Sequence, residues 1–353
     1  MYLVEPQTDI PAWHCPMKAG VRYVVSQAIA AKALTLAECE IQDLGRQLAS
    51  DTPKPLCAAD RVLVCRDGAY GDLLFMTPAL LKLKEVVGCE VTVSAMADYW
   101  QILDHLGLGY LGAPMPFDLF ATFDRHIWLN EVLLFGEQAQ TTHAVDLFAQ
   151  VLGVTLEPEE RVCHYALQNG ERLWAEREWP RSCRKRLVVC PAASQLARTM
   201  PAAWWTDFFR LTLNDGWEVF VLGRHGDIAL NDVPFIRNLT HPRCSYTFRQ
   251  SAAVMTTADV VVGVDSALLH VAGALGLPAV GLFSTHPPML RSAYHTSIVP
   301  VQGQTAVGCA PCFHNGRAGD WVEGMPCKAS GRCEALAGLS HGDVWNLCKE
   351  ASK

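Results

Sequence analysis

The sequence predicts an α/β protein built from two Rossmann-like halves, and three stretches predict it. Residues 258–283 read as strand, tight turn, helix and strand; residues 61–94 read the same way; residues 186–223 open a second series in that order. Strands and helices alternating at this spacing imply parallel sheets covered on both faces. Two such series imply halves facing a cleft, with ligands taken at the carboxyl ends of the strands.

The stretch 258–283 is the most legible. Val260, Val261, Val262, Gly263 and Val264 are β-branched or glycine and read as a buried strand. Asp265 and Ser266 are good helix-start residues, and Leu268, Leu269, Ala272 and Leu275 follow at helical spacing. Gly276 stops the helix and residues 278–283 form the next strand. The switch from strand to helix leaves backbone N–H groups pointing outward, an arrangement suited to phosphate, although most such turns in an α/β core bind nothing.

In the first half, residues 61–65 form a buried strand, 66–72 a glycine-containing turn, 73–88 an amphipathic helix and 89–95 a strand. Pro78 falls near enough to the helix start to be tolerated with a small kink. A helix near 98–106, an apolar run ending at 125–129 and a helix at 143–152 continue the pattern. Gly68 and Gly71 let the turn fold tightly and admit a ligand, and Asp72 follows at the helix start, as a cap or as a general base. Helix 169–179 and the basic run 181–186 read as a bridge with solvated charges. In the second half, residues 186–194 are strand then turn, 201–216 a helix, 217–223 a strand and 248–258 a helix. Ser194 and Arg198 lie between strand and helix, where an arginine pairs with phosphate oxygens or is simply solvated.

Residues 1–60 carry no clear sheet pattern. Residues 28–48 are helix-prone and 51–55 read as a linker, so this is an N-terminal extension that packs on the first half or forms a homo-oligomer contact. The expected divisions are therefore an extension at 1–60, a first Rossmann-like half at 61–180, a second at 181–305, and a four-cysteine segment with a final helix at 306–353.

The composition sets limits. Half of the 353 residues are hydrophobic and 18% are charged, which suits two sizeable cores. No stretch approaches the roughly 20 apolar residues needed to span a bilayer. No basic-then-apolar leader opens the chain, so a cytoplasmic location is expected. A net charge of −7 disfavours a nucleic-acid partner. Of the 14 cysteines, Cys65 and Cys190 lie in buried strands, whereas Cys309, Cys312, Cys327 and Cys333 cluster. The first pair and the intervening loop suit thiolate ligation of structural zinc or iron; the looser second spacing also fits reduced thiols in a surface loop.

Three segments together resemble glycosyltransferase family 9, the ADP-heptose-dependent heptosyltransferases of the GT-B fold. RVLVCRDGAYGD resembles that family's opening strand and Gly-x-x-Gly-Asp turn, LVVCPAASQLARTMPAAWW its Pro-Gly-Ala-Ser segment, and GVDSALLHVA its Asp-Ser/Thr-Gly/Ala-x-x-His-x-Ala segment. The resemblance implies that Asp72 is the general base. It makes Gly71, Ser194, Arg198, Asp265, Ser266, Ala267 and His270 the donor-binding positions, His270 serving there or in packing. Arg198 stands where the family usually has Lys, Ala192 replaces a Gly and Met200 a Trp, and the loop 284–286 aligns ambiguously. The four-cysteine segment also resembles one that forms a metal finger in the protein-directed branch. The implied reaction is inverting transfer of a sugar, heptose favoured, from a nucleotide diphosphate to a glycan or protein hydroxyl, with no catalytic metal. A catalytically silent nucleotide-sugar binding or assembly module is the alternative. A dinucleotide oxidoreductase fits less well, because the first turn lacks G-x-G-x-x-G. The final helix, near 340–350, has a return to the first half as one course, as in GT-B folds.

Overall fold

The computed structural model describes residues 1–11, 16–43, 56–130, 132–133, 137–224, 227, 236–240, 246–304, 308–313 and 326–353. By its internal contacts the chain divides into Met1–Ala139 with Ala144–Arg161, and Gln140–His143 with Val162–Lys353. The expected linker at 51–55 lies outside the described residues.

The first unit runs β1 (Tyr2–Pro6), β2 (Tyr23–Val25), α1 (Gln27–Leu34), β3 (Cys39–Asp43), β4 (Arg61–Cys65) and α2 (Tyr70–Val87). It continues with β5 (Glu90–Ala95), β6 (Gly109–Gly112), β7 (Met115–Pro116), α3 (Phe117–Phe120), β8 (Arg125–Trp128) and α4 (Ala144–Leu152). Strands β6-β5-β4-β8 make a parallel sheet. Val62, Leu63 and Val64 are fully buried at its centre, as a run of apolar residues covered on both faces requires. Helix α2 buries Leu73, Leu74, Leu80 and Leu83 and carries Pro78 without breaking. Proline leaves the carbonyl of Leu74 without its usual N–H donor, and the Thr77 hydroxyl supplies one at 2.7 Å. The helix expected near 98–106 is only a 3₁₀ turn, Ala97–Ile102.

The N-terminal stretch departs from its expected form. It contributes three described strands of an antiparallel sheet in the order β3-β1-β2-β7, and of the helix expected over 28–48 the described residues form only Gln27–Leu34, with a strand following at Cys39–Asp43. These strands are short, β1 ends in a proline and β3 is mostly exposed, so their pairing is set by long-range partners more than by local pattern. Leu3 and Val24 pack with Leu63, Cys65, Met115, Phe120 and Phe123, which fixes the sheet onto the rest of its unit.

The second unit runs α5 (Asn169–Glu178), β9 (Arg186–Cys190), α6 (Ala202–Asn214), β10 (Glu218–Val221), β11 (Ile236–Asn238), α7 (Phe248–Met255) and β12 (Val260–Val264). After these come α8 (Ala267–Ala274), β13 (Ala279–Phe283), β14 (Ile298–Gln302), α9 (Pro326–Ser330), α10 (Glu334–Ala337) and α11 (His341–Ala351). The sheet order is β11-β10-β9-β12-β13-β14, all parallel. Leu187, Val189, Val262, Val264 and Leu282 form one core with Trp204, Trp205 and Phe208 of α6 and Val344, Trp345 and Cys348 of α11. The final helix thus packs on α6 and the sheet of its own unit. Trp204 Nε1 donates to the Leu339 carbonyl at 2.8 Å and Trp345 Nε1 to Asp215 Oδ2 at 2.6 Å, so each indole buries its face without stranding its N–H.

The basic run at 181–186 is solvated only in part. Arg186 is buried, donating to Glu218, to the carbonyls of Trp179 and Pro180 and to the Thr257 hydroxyl. These partners satisfy a guanidinium that would be costly to bury alone. Among the described residues, no helix is long and apolar enough to cross a membrane.

Candidate functional site

Two groups of polar residues gather at strand-to-helix turns, one in each unit. In the first, β4 ends at Cys65 and the chain turns into α2, whose first residues are Tyr70, Gly71 and Asp72. Ala69 occupies the cap position and makes no side-chain cap bond, and Asp72 lies in the first turn with its side chain partly exposed. Asp72 is therefore not the helix cap. Its Oδ2 instead receives the guanidinium of Arg66, a side chain almost wholly buried, and Oδ1 has no hydrogen bond among the described residues.

Arg66 is held in turn by the carbonyls of Leu129, at 3.1 Å, and Asn130. Asn130 Oδ1 accepts the backbone N–H of Asp67 at 2.7 Å. The loop after β8 thereby fixes the arginine that fixes the carboxylate. Sequence reasoning passed over Arg66, since a lone arginine beside a strand reads as solvent-facing. Its place directly after a four-residue apolar run was the available signal.

The second group sits where β12 enters α8. Ser266 is the cap residue of α8 but makes no side-chain cap bond, so its hydroxyl leaves the first backbone N–H groups of the helix unclaimed. Gly276, with φ +67°, closes the far end in the left-handed conformation that glycine adopts without strain. Asp265 is buried, and His270, one turn along, meets its Oδ1 through Nε2 at 2.9 Å. Arg198 arrives from the 3₁₀ turn Leu196–Arg198, its Nη1 donating to the Asp265 carbonyl at 3.2 Å and lying 3.5 Å from Oδ2. Burial alone would raise the Asp265 carboxyl. The His270 hydrogen bond and the charges of Arg198 and Arg291 overcome it and hold the group well below the usual carboxylate range. Asp265 is thus an ionised anchor that orients Arg198 and His270.

The arginine turn is also braced from within. Thr199 Oγ1 accepts the Ala193 N–H at 3.2 Å and donates to the Gln195 carbonyl at 2.9 Å, while Arg198 Nε donates to Gln195 Oε1 at 3.2 Å. Ser194 is exposed at the mouth of this turn, and Ser266 and Ala267 are half-buried beside Asp265. The structure therefore brings Arg198, Asp265 and His270 into direct contact and places Ser266 and Ala267 at the same helix start. Gly71 and Asp72 form their own group in the first unit.

Behind His270 lies a layer of histidines that no sequence motif connects. His295 packs against α8 where a Cβ on Gly273 would come within 2.5 Å of its ring, and its ring centroid is 5.9 Å from that of His270. The His143 ring lies 4.0 Å from that of Tyr294. Burial pushes both His143 and His295 down to about 3, helped for His143 by the Arg291 charge and for both by His270. Both are neutral in the folded protein at neutral pH, whereas the unfolded chain protonates them below about pH 6.5. Their contribution to stability is present above that value and is lost as pH falls towards 3. Denaturant unfolding at pH 7.5 and 5.5 should show a loss of about 3 kcal/mol from the pair. Equal stability at the two values would contradict this assignment.

The four clustered cysteines do not converge. Cys327 and Cys333 are buried, Cys309 is half-buried and Cys312 exposed, and among the described residues no three His, Cys, Asp or Glu side chains gather as metal ligands would. Burial pushes the Cys333 thiol up to about 11, with the neighbouring Cys327 adding to the rise. A zinc or iron requires thiolates that converge, and the arrangement among the described residues does not supply that convergence.

Residues 125–321, more than half of the chain, match the profile of glycosyltransferase family 9 (heptosyltransferase). The chain belongs to that family. No curated protein matches it by sequence. Among solved structures, the family 9 glycosyltransferase from Veillonella parvula superposes with a TM-score of 0.63 at 13% identity, covering 85% of this chain and 99% of that one. The ADP-heptose lipopolysaccharide heptosyltransferase II of E. coli gives 0.60 at 16% identity, covering 83% and 98%. TibC of enterotoxigenic E. coli, an iron-containing dodecameric glycosyltransferase, gives 0.64 at 14% identity, covering 89% and 85%, and has also been solved with ADP-D-β-D-heptose. The shared fold is GT-B, and this family 9 protein is a glycosyltransferase.

Proposed function

We propose that this family 9 glycosyltransferase uses ADP-heptose as donor and transfers the heptose, with inversion, to a hydroxyl of a glycan or a protein. The observation that carries the reading is the Arg198–Asp265–His270 constellation at the uncapped start of α8. A guanidinium beside unclaimed backbone N–H groups is suited to a diphosphate.

In this reading the diphosphate lies against the N–H groups around Ser266 and Ala267, with Arg198 and Ser194 on its oxygens. Asp72 Oδ1 accepts the proton of the acceptor hydroxyl as that oxygen forms a bond to the anomeric carbon. The bond from that carbon to the diphosphate oxygen breaks on the opposite face, and the departing negative charge passes to Arg198 and the helix start. Arg66 keeps the Asp72 carboxylate aimed. The second unit is then the donor half and the first the acceptor half, with acceptor specificity in the loops between Trp100 and Gln140. A cytoplasmic setting and a homo-oligomer belong to the same proposal. A structural metal does not, since among the described residues the thiols it needs are not gathered.

A donor screen by thermal shift tests the reading. At about 100 times the dissociation constant a bound donor adds about 2.7 kcal/mol of stability. ADP-heptose should raise the melting temperature most, above UDP-, GDP- and ADP-hexoses, and ADP should be released when an acceptor is present. If no nucleotide sugar shifts the transition, the donor-site assignment fails.

A further inference from the structure

The turn Ser284–Thr285–His286 follows β13, at the carboxyl edge of the second sheet, and all three residues are buried. Buried hydroxyl and imidazole groups at such an edge need partners, and those found here join two regions that the sequence keeps far apart. Ser284 Oγ donates to the carbonyl of Ala197 at 2.7 Å, one residue before Arg198. Its main chain is clasped by Gln302, whose Nε2 lies 3.2 Å from the carbonyls of both Phe283 and Ser284.

The C-terminal segment reaches the same turn from two directions. Phe313 donates its backbone N–H to the Thr285 carbonyl at 2.7 Å and sets its ring edge-on to His286, centroids 5.6 Å apart. Phe313 holds φ at +53°, the one such non-glycine residue among those described, a conformation that neighbouring contacts must stabilise. From the other side, the buried Cys333 lies beside the Ser284 side chain. The cysteine segment thus backs the turn 284–286 through Phe313, and Ser284 backs the turn bearing Arg198.

We infer that Ser284 is a positioning residue for donor binding: its hydroxyl fixes the Ala197 carbonyl, sets the Arg198 guanidinium against the diphosphate, and makes the cysteine segment a support of the donor site. This rests on the reading that Arg198 meets the donor phosphates. The role goes beyond packing, because the hydroxyl holds one carbonyl in one direction. Losing it leaves that carbonyl without its donor and the turn free to rotate the arginine away from its Asp265 contacts.

The test is calorimetric titration with ADP of the full-length protein and four variants. Ser284→Ala should weaken ADP about fivefold to tenfold, the scale of one lost buried hydrogen bond, and Ser284→Thr, which keeps the hydroxyl, should bind within about twofold of the parent. Val344→Ala trims the same core away from the turn and should lower the melting temperature without changing ADP affinity. If Ser284→Ala binds ADP as the parent does, or if Val344→Ala weakens binding equally, the positioning role is overturned. Arg198→Ala separates the two levels. If it weakens ADP while Ser284→Ala does not, only the brace is wrong. If Arg198→Ala binds as the parent does, the donor-site reading falls and the brace with it.

Discussion

Replacing Asp72 with Asn should cut sugar transfer about 10²–10⁴-fold, the range expected when a general base is removed, while ADP-heptose affinity stays within about twofold. The asymmetry follows from position. Asp72 belongs to the first-turn group of α2 with Arg66, whereas the proposed phosphate contacts belong to α8 and the Arg198 turn. Asn keeps the size of the side chain and an oxygen for Arg66, so the substitution removes basicity without emptying the site. Steady-state rates with a saturating acceptor, set beside a donor titration, check both halves of the expectation. Undiminished transfer by Asp72→Asn would remove Asp72 from the chemistry.

Asp265→Ala should be the more damaging substitution for the folded state. The carboxylate is buried and answers His270, Arg198 and the nearby Arg291. Taking away one partner of a buried charge network leaves the others uncompensated and costs about 3–5 kcal/mol. Donor affinity should fall with it, because Arg198 loses the carboxylate that orients it. Denaturant unfolding reads the first effect and ADP titration at low temperature the second. A variant as stable as the parent would mean that Asp265 is not the anchor of this group.

Much of this architecture was legible because its strands are continuous apolar runs. Val260–Val264 and Arg61–Cys65 declare themselves as covered strands, and the polar residues after each mark helix starts where ligands are taken. That is why Asp72, Asp265 and Ser266 could be placed at helix starts from the sequence. The N-terminal sheet could not, since Tyr2–Pro6 and Cys39–Asp43 are short, partly polar and paired at a distance. Arg66, Ser284 and His295 were missed for a related reason. Each is a single polar residue whose meaning comes from tertiary neighbours: the Asn130 loop, the Ala197 carbonyl and the face of α8 at Gly273. The cysteine spacing shows the opposite limit. It permits a four-thiolate site, but spacing alone does not bring Cys309 and Cys312 to Cys327 and Cys333.

Calorimetric titration of ADP-heptose into the parent protein and into Arg198→Ala puts the central claim to its most direct test. Saturable binding of one donor per chain by the parent, weakened about tenfold or more by loss of the guanidinium, is the predicted result. No binding of ADP-heptose by the parent, or equal binding by the two proteins, would contradict a donor site built on Arg198 and Asp265.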